Sequence, residues 1–372
     1  MRERTKRQAA PELLRILAML AIIASHYATK GGFTYTDGSG LSAGRWFLQF
    51  FSLGGFGDDL FILISAYFLS EKRKSKPSKA LRLAGVTLFY SLLFYLIFVL
   101  LLGGGTEYDR SWEKLLRILL PVPFGGYWFI TDYIVLYLTA PYLNRMLDTL
   151  DEKTHRRLML GGICMFSLTP SVLRADFGAA GSWLPWFVVL YLTGTYIRRY
   201  ADEGQGPLAE LSGNRIKLLL LFTGTLLLRG LLIAIIDQVS PRVGFFVPYE
   251  SKLSEIDQFL FFLPAAALFL LLRRAGIGGT ALLYETAASV LGVYLIHNNE
   301  YLKNVLWHDI FRAQNLQDSP WLPLHMAVSV IAVFVVCAAL ESLRRLVFRG
   351  IGSVLSPAPK SGEGGSTRFD KK

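Results

Sequence analysis

The sequence predicts an all-α fold, a polytopic membrane bundle of about ten transmembrane helices, and three observations lead there. The 372-residue chain is 52% hydrophobic and only 18% charged, with a mean hydropathy of +0.40, too apolar for an ordinary soluble protein. Apolar runs near the ~20 residues that cross a hydrocarbon core recur along the whole sequence, with no polar interval long enough for a soluble domain. The basic residues are also divided between alternate loops as the positive-inside rule requires.

The runs place spans at 11–29, 47–70, 83–102, 128–146, 157–173, 183–198, 217–236, 257–272, 282–299 and 322–343. The first follows a basic start that resembles a signal peptide. Arg15 interrupts its apolar core and no small-residue cleavage site follows, so it is read as a retained span. With the N-terminus cytoplasmic, 27 of the 39 Lys and Arg residues fall in inside segments when the span-edge residues Arg145, Arg157, Arg198 and Lys217 are counted with them, and ten in outside loops, while Arg15 and Arg229 lie deeper within spans. The net charge of +11 is then a signal of topology in a lipid bilayer, and no nucleic-acid partner is expected. Gly103-Gly-Gly105 is a loop between spans, with no strand before it to make a phosphate cradle. Trp46, Trp112, Trp183, Trp186, Trp307 and Trp321 read as interface anchors, and Trp128 as the preferred stacking platform. Cys164 and Cys337 fall in apolar spans as small core residues, with no disulfide expected. Residues 1–355 form one integral membrane domain, and the Pro-, Gly-, Ser- and Lys-rich stretch 356–372 reads as a disordered cytoplasmic tail. No internal repeat of the transporter kind is visible.

Arg15 and His26 are eleven residues apart in the first span. At about 100° and 1.5 Å per residue that is three turns plus about 20°, so both project from nearly one face, about 16 Å apart in depth. Ionisable groups in a span are costly and usually line a pathway or site. Arg15, near the cytoplasmic face, suits a phosphate or carboxylate; His26, near the opposite face, suits accepting a proton from a hydroxyl. The alternative reading is a snorkelling arginine and a helix-contact histidine. Asp58 and Asp59 of the second span need partners, and Asp59 is the candidate to orient His26 and stabilise its imidazolium; the alternative is a carboxyl that only maintains helix contacts.

Lys79 and Arg82 form a basic pair at the cytoplasmic start of a helix, either a binding pair or plain topological anchors. Trp128, Asp132, His297 and Glu300 converge with His26 near the external leaflet and are acceptor-side candidates. Arg229 needs a partner or a wet cavity. The five histidines, at 26, 155, 297, 308 and 325, have no zinc-like spacing, so metal dependence is not expected. Without a G-x-S-x-G elbow, Ser25 and Ser65 are weak candidates as hydrolase nucleophiles.

Taken together, these segments resemble the membrane-bound acyltransferase 3 family, from the first span to the ninth. Arg15 and His26 match its R-x10-H signature, and Phe56-Gly-Asp-Asp-Leu-Phe-Ile-Leu-Ile-Ser-Ala-Tyr67 is similar to its glycine-aspartate-phenylalanine-serine-glycine-tyrosine segment, with Ala66 replacing the usual glycine. The family's R-x-x-R pair is shifted to Lys79 and Arg82, and Tyr127-Trp-Phe and Tyr294-Leu-Ile-His297 resemble further family segments. The resemblance implies a plasma-membrane O-acyltransferase with both termini cytoplasmic and no permanently bound cofactor. Its donor would be cytoplasmic acyl-CoA, acetyl-CoA in the first instance, and its acceptor a hydroxyl of an extracytoplasmic glycan or related molecule.

In that scheme Arg15, Lys79 and Arg82 hold the CoA phosphates, His26 is the general base, Asp59 orients it, and Trp128 stacks on the acceptor. Direct transfer and an acyl-imidazole relay both fit. An exporter or flippase of an anionic or glycan substrate is the alternative, since a basic inner mouth and intramembrane charges suit transport as well. A membrane scaffold or sensor would leave the ionisable cluster unexplained, and the oligomeric state is not legible.

Overall fold

The computed structural model describes residues 8–104, 106–124, 126–174 and 182–355, which are helical almost throughout and contain no β-strand. The tail expected at 356–372 lies outside these residues. α1 spans Ala9–Lys30 and ends at Gly31. α2 (Ala43–Phe51) starts at Ser42, whose side chain accepts from the backbone N–H of Arg45, and α3 (Gly54–Leu69) follows after a break. α4 (Pro77–Tyr95) widens into a π turn over Leu96–Leu101. Short α5 (Trp112–Leu119) precedes α6 (Trp128–Leu147). α7 (Glu152–Ile163) runs through a second π turn, Cys164–Leu168, into α8 (Thr169–Leu173). Then come α9 (Leu184–Arg199), α10 (Pro207–Gly213), α11 (Arg215–Val239), α12 (Val247–Lys252), α13 (Phe259–Leu272), α14 (Ala281–His297), α15 (Leu302–Asn304) and α16 (Leu322–Leu355).

All ten predicted stretches are thus mainly helical. Five segments are long and apolar enough to cross a membrane: Ala9–Lys30, Ala43–Leu69, Pro77–Leu101, Arg215–Val239 and Leu322–Gly350. Phe259–Leu272 and Ala281–His297 are apolar but shorter. The outer faces of α11 and α16 carry rows of exposed aliphatic side chains, among them Leu220, Leu227, Leu231, Ile331 and Val335. Such surface is stable only against lipid or protein, which agrees with a multi-pass membrane protein.

α3 lies between α1, α9 and α13 and is buried on most sides. Its crossing with α1 is close because residue 57 is glycine: a Cβ there would lie 2.6 Å from the Ala18 carbonyl oxygen and from the Ile22 side chain. On its other side, Ala66 faces Gly194 of α9, where an added Cβ would come within 2.6 Å of the Ala66 Cβ. The Ala66 methyl group is therefore accommodated by a glycine on the facing helix.

One apolar core surrounds α3, α9 and α13, a second joins α1, α14 and α16, and Phe61 and Phe129 pack against both. Trp186 and Trp307, expected at the membrane interface, are instead buried within these cores. Both cysteines are free.

The stretch predicted as one span at 47–70 breaks at Ser52 and Leu53, and Arg229 explains how the break is held. Its fully buried guanidinium donates from Nη2 to the carbonyl of Gln49 at 2.8 Å, lies 3.5 Å from that of Ser52, and sits 4.8 Å from the Phe261 ring centre. The partner that the sequence required is thus the carbonyl-rich C-terminal end of α2 and an aromatic face, rather than a carboxylate.

Candidate active site

The stripe Arg15, Met19, Ile22 and His26 recurs every three or four residues along α1, as expected of a single helix face. Its first three members line a cleft of about 330 Å³ between α1, α3, α4, α6 and α14. Arg15 borders this cleft and pairs with Glu12 at 2.8 Å, so its charge is already partly met within α1. Leu83 of α4 is another wall residue, but neither Lys79 nor Arg82 of that helix lines the cleft; both are exposed, with no ion-pair partner among the described residues. Ile22 and Tyr294, lining the cleft, lie one turn before His26 and His297 on their respective helices.

His26 and His297 meet where α1 and α14 end, Nδ1 of the first 2.9 Å from Nε2 of the second. His297 is fully buried, and its Nδ1 lies 2.5 Å from the Val293 carbonyl oxygen. A carbonyl only accepts, so Nδ1 of His297 carries a proton, and in the neutral ring Nε2 is then the acceptor. His26 Nδ1–H must therefore donate to it. This assignment follows from the hydrogen-bond network, and it leaves Nε2 of His26 as the nitrogen with a free lone pair. One turn further along α1, the Lys30 ammonium donates to the Asn298 side chain, adding a cation to the same end of the bundle.

The aspartates divide differently from the expectation. Asp59 was the candidate orienter of His26, but it is fully buried on the far side of α3, where its Oδ1 accepts from Trp186 Nε1 at 2.8 Å. Asp58, one residue or about 100° earlier, is the carboxylate that borders the cleft, and it makes no hydrogen bond among the described residues. The side chain within hydrogen-bond distance of the His26 ring is that of His297.

Of the other acceptor-side candidates, Asp132 accepts from the Ser182 hydroxyl at 2.9 Å and the Trp183 amide at 2.8 Å, holding the start of α9. Trp128 is half-buried and packs against the edge of the core on Phe129 and Phe187. Glu300 pairs with buried Lys114 at a separate cavity of about 200 Å³. Only His297 of this group is brought to His26.

Sequence reasoning named Tyr294 only as part of a family-like segment and missed it as a cleft residue; its buried hydroxyl has no hydrogen-bond partner among the described residues. Its position one turn before His297 was the available signal. It also missed buried Arg45, whose partners Asp237 and Glu250 are about 200 residues away in the chain and leave no local pattern.

Fold and site together define a multi-pass helical membrane protein in which a cleft bordered by an arginine ends one helical turn short of a hydrogen-bonded histidine pair. The family model described as an acyltransferase domain (Acyl_transf_3) matches residues 8–341, and the chain belongs to this family of membrane acyltransferases. No curated protein and no solved structure gives a match.

Proposed function

We propose that the protein is a ten-span plasma-membrane O-acyltransferase that moves an acyl group, acetyl in the first instance, from cytoplasmic acyl-CoA to a hydroxyl of an extracytoplasmic glycan or related acceptor. The observation that carries this reading is the hydrogen-bonded chain from the Val293 carbonyl through His297 to His26, one helical turn beyond the last α1 residue of the Arg15 cleft, which leaves Nε2 of His26 with a free lone pair. Arg15, with Lys79 and Arg82 on the neighbouring helix, meets the CoA phosphates, and the pantetheine arm lies along the cleft. The roughly 16 Å rise between Arg15 and His26 sets the depth that the arm must cover.

His26 Nε2 takes the proton of the acceptor hydroxyl as its oxygen attacks the thioester carbonyl carbon. The C–O bond forms, the C–S bond breaks, and the proton passes from His26 to the departing thiolate to give free CoA. His297 holds the ring of His26 in the required tautomer through the attack. The N- and C-termini are cytoplasmic in this scheme, as the basic inner loops favour.

The test is the purified full chain in proteoliposomes supplied with radiolabelled acetyl-CoA and a panel of glycans. Label on the acceptor, lost on His26→Ala in a folded protein, is the expected result. Movement of a glycan across the membrane with no transfer of label would favour the exporter or flippase reading instead.

A further inference from the structure

A cavity of about 270 Å³ lies beside the end of α1, between that helix, the loop after it, α2 and the segment around α12. Its walls include Ala28 and Thr29, on the turn that follows His26, and Ser52, whose hydroxyl is 3.5 Å from that of Ser25. The Arg15 cleft approaches His26 from the preceding turns of the same helix. His26 itself lines neither cavity; along α1 it lies between Ile22, on the wall of the cleft, and Ala28, on the wall of this cavity.

The walls of this second cavity differ in chemistry from the cleft. Phe33 and Tyr35 supply ring surface, Ser251 and Ser254 supply hydroxyls, and Oε1 of Gln49 is buried with no hydrogen-bond partner among the described residues. Flat rings beside a few fixed polar groups suit a compact, hydroxyl-rich ligand. The charged groups are unevenly balanced. Arg45, 2% exposed, is held by Glu250 at 2.5 Å and lies 3.4 Å from Asp237 and 3.7 Å from Asp37. Its other contacts include the Thr36 carbonyl at 2.7 Å, and Glu250 also accepts from the Gly38 amide at 2.8 Å. The wall itself carries one cation, Arg45, and two carboxylates, Asp37 and Glu250, and is net negative; behind it buried Asp237 faces Arg45, and buried Arg229 donates to the Gln49 carbonyl.

We infer that this cavity is the acceptor subsite, and that it admits an uncharged or amine-bearing sugar unit while rejecting one that carries a carboxylate or phosphate. The inference rests on the acyltransferase reading for the word acceptor, but the binding site and its charge preference are testable without transfer. Like charges brought together at such a wall oppose binding, and the aromatic and hydroxyl groups supply the attraction.

Two measurements on the full chain in phosphatidylethanolamine and phosphatidylglycerol vesicles test it. The first is photolabelling with a diazirine-bearing methyl glucoside, expected to give adducts within residues 33–37, 45–52 or 250–254. Adducts confined to other segments, or none, overturn the subsite whether or not transfer is seen. The second compares transfer of radiolabelled acetyl from acetyl-CoA to methyl glucoside and to methyl glucuronide, before and after Asp37→Lys. Asp37 is a loop residue whose side chain is 48% exposed, so the substitution leaves the Arg45–Glu250 pair in place. The parent should prefer the glucoside, and the variant should narrow that preference by about five- to tenfold.

An unchanged preference in the variant, with transfer intact, overturns the subsite and leaves the acyltransferase reading standing. Adducts at the cavity with no transfer to any sugar support the subsite and overturn the acyltransferase reading.

Discussion

Replacing His297 tests the proposed centre at the point where its geometry is most specific. In His297→Leu the 2.9 Å contact to His26 disappears while an apolar side chain fills the buried space. The lost hydrogen bond is worth only about 1 kcal/mol net. The larger effect is on the orientation of His26, whose ring is then free to turn and to carry its proton on either nitrogen. A displacement of about 1 Å in a reacting group costs on the order of 10²-fold in rate, so transfer should fall by roughly that factor.

His297→Gln separates this from a packing effect, because the glutamine carbonyl can accept from His26 Nδ1–H near the place where Nε2 stood. It should recover most of the rate, to within about tenfold of the parent. Initial rates of acetyl transfer in proteoliposomes, with thermal midpoints measured on the same preparations, provide the assay. If leucine and glutamine variants with equal midpoints transfer at the same rate, or the leucine variant matches the parent, the tautomer argument is wrong.

Arg15→Ala should raise the KM for acetyl-CoA by about 10- to 100-fold with a smaller change in kcat, the loss expected for one charge-assisted contact to phosphate; an unchanged KM would remove Arg15 from the donor site. Asp58→Asn should slow transfer with little change in thermal midpoint. Asp59→Ala, by freeing the Trp186 N–H, should instead destabilise by about 1–3 kcal/mol, and the opposite pattern would reverse the division of the two aspartates. Gly194→Ala should cost about 1–3 kcal/mol through its contact with Ala66, read as a drop in midpoint that Ala66→Gly partly restores. Arg229→Ala should cost about 3 kcal/mol by leaving the carbonyl oxygens at the end of α2 unpaired and opening a cavity, with Arg229→Lys less affected; parent-like melting of the alanine variant would refute its structural role.

The face shared by Arg15 and His26 was legible because a helix with no interior break imposes a fixed rotation per residue. The family was legible because the segments that carry the resemblance are short local runs, such as Arg15 to His26 and Phe56 to Tyr67. The choice between Asp58 and Asp59 was not. α3 is apolar around its whole circumference and buried on most sides, so no hydrophobic face told which aspartate points to α1 and which to α9. The convergence of Asp132 and Glu300 with His26 was inferred from depth alone, and depth does not determine which helices are neighbours. Asp132 turned out to serve the start of α9, and Glu300 a different cavity.

What the sequence determined by itself was everything that depends on short-range periodicity and on the cost of placing polar groups in lipid: helices throughout, the membrane class, the Arg15–His26 stripe and the family. What only the tertiary structure decided was pairing across helices. His26 meets His297 across 271 positions of chain, Asp59 meets Trp186 across 127, and Arg229 meets the end of α2 across 180. Those pairings follow from which helix faces pack together. Packing is governed by close approach at residues such as Gly57 and Gly194 and by the burial of whole apolar surfaces, and neither leaves a local pattern in the sequence.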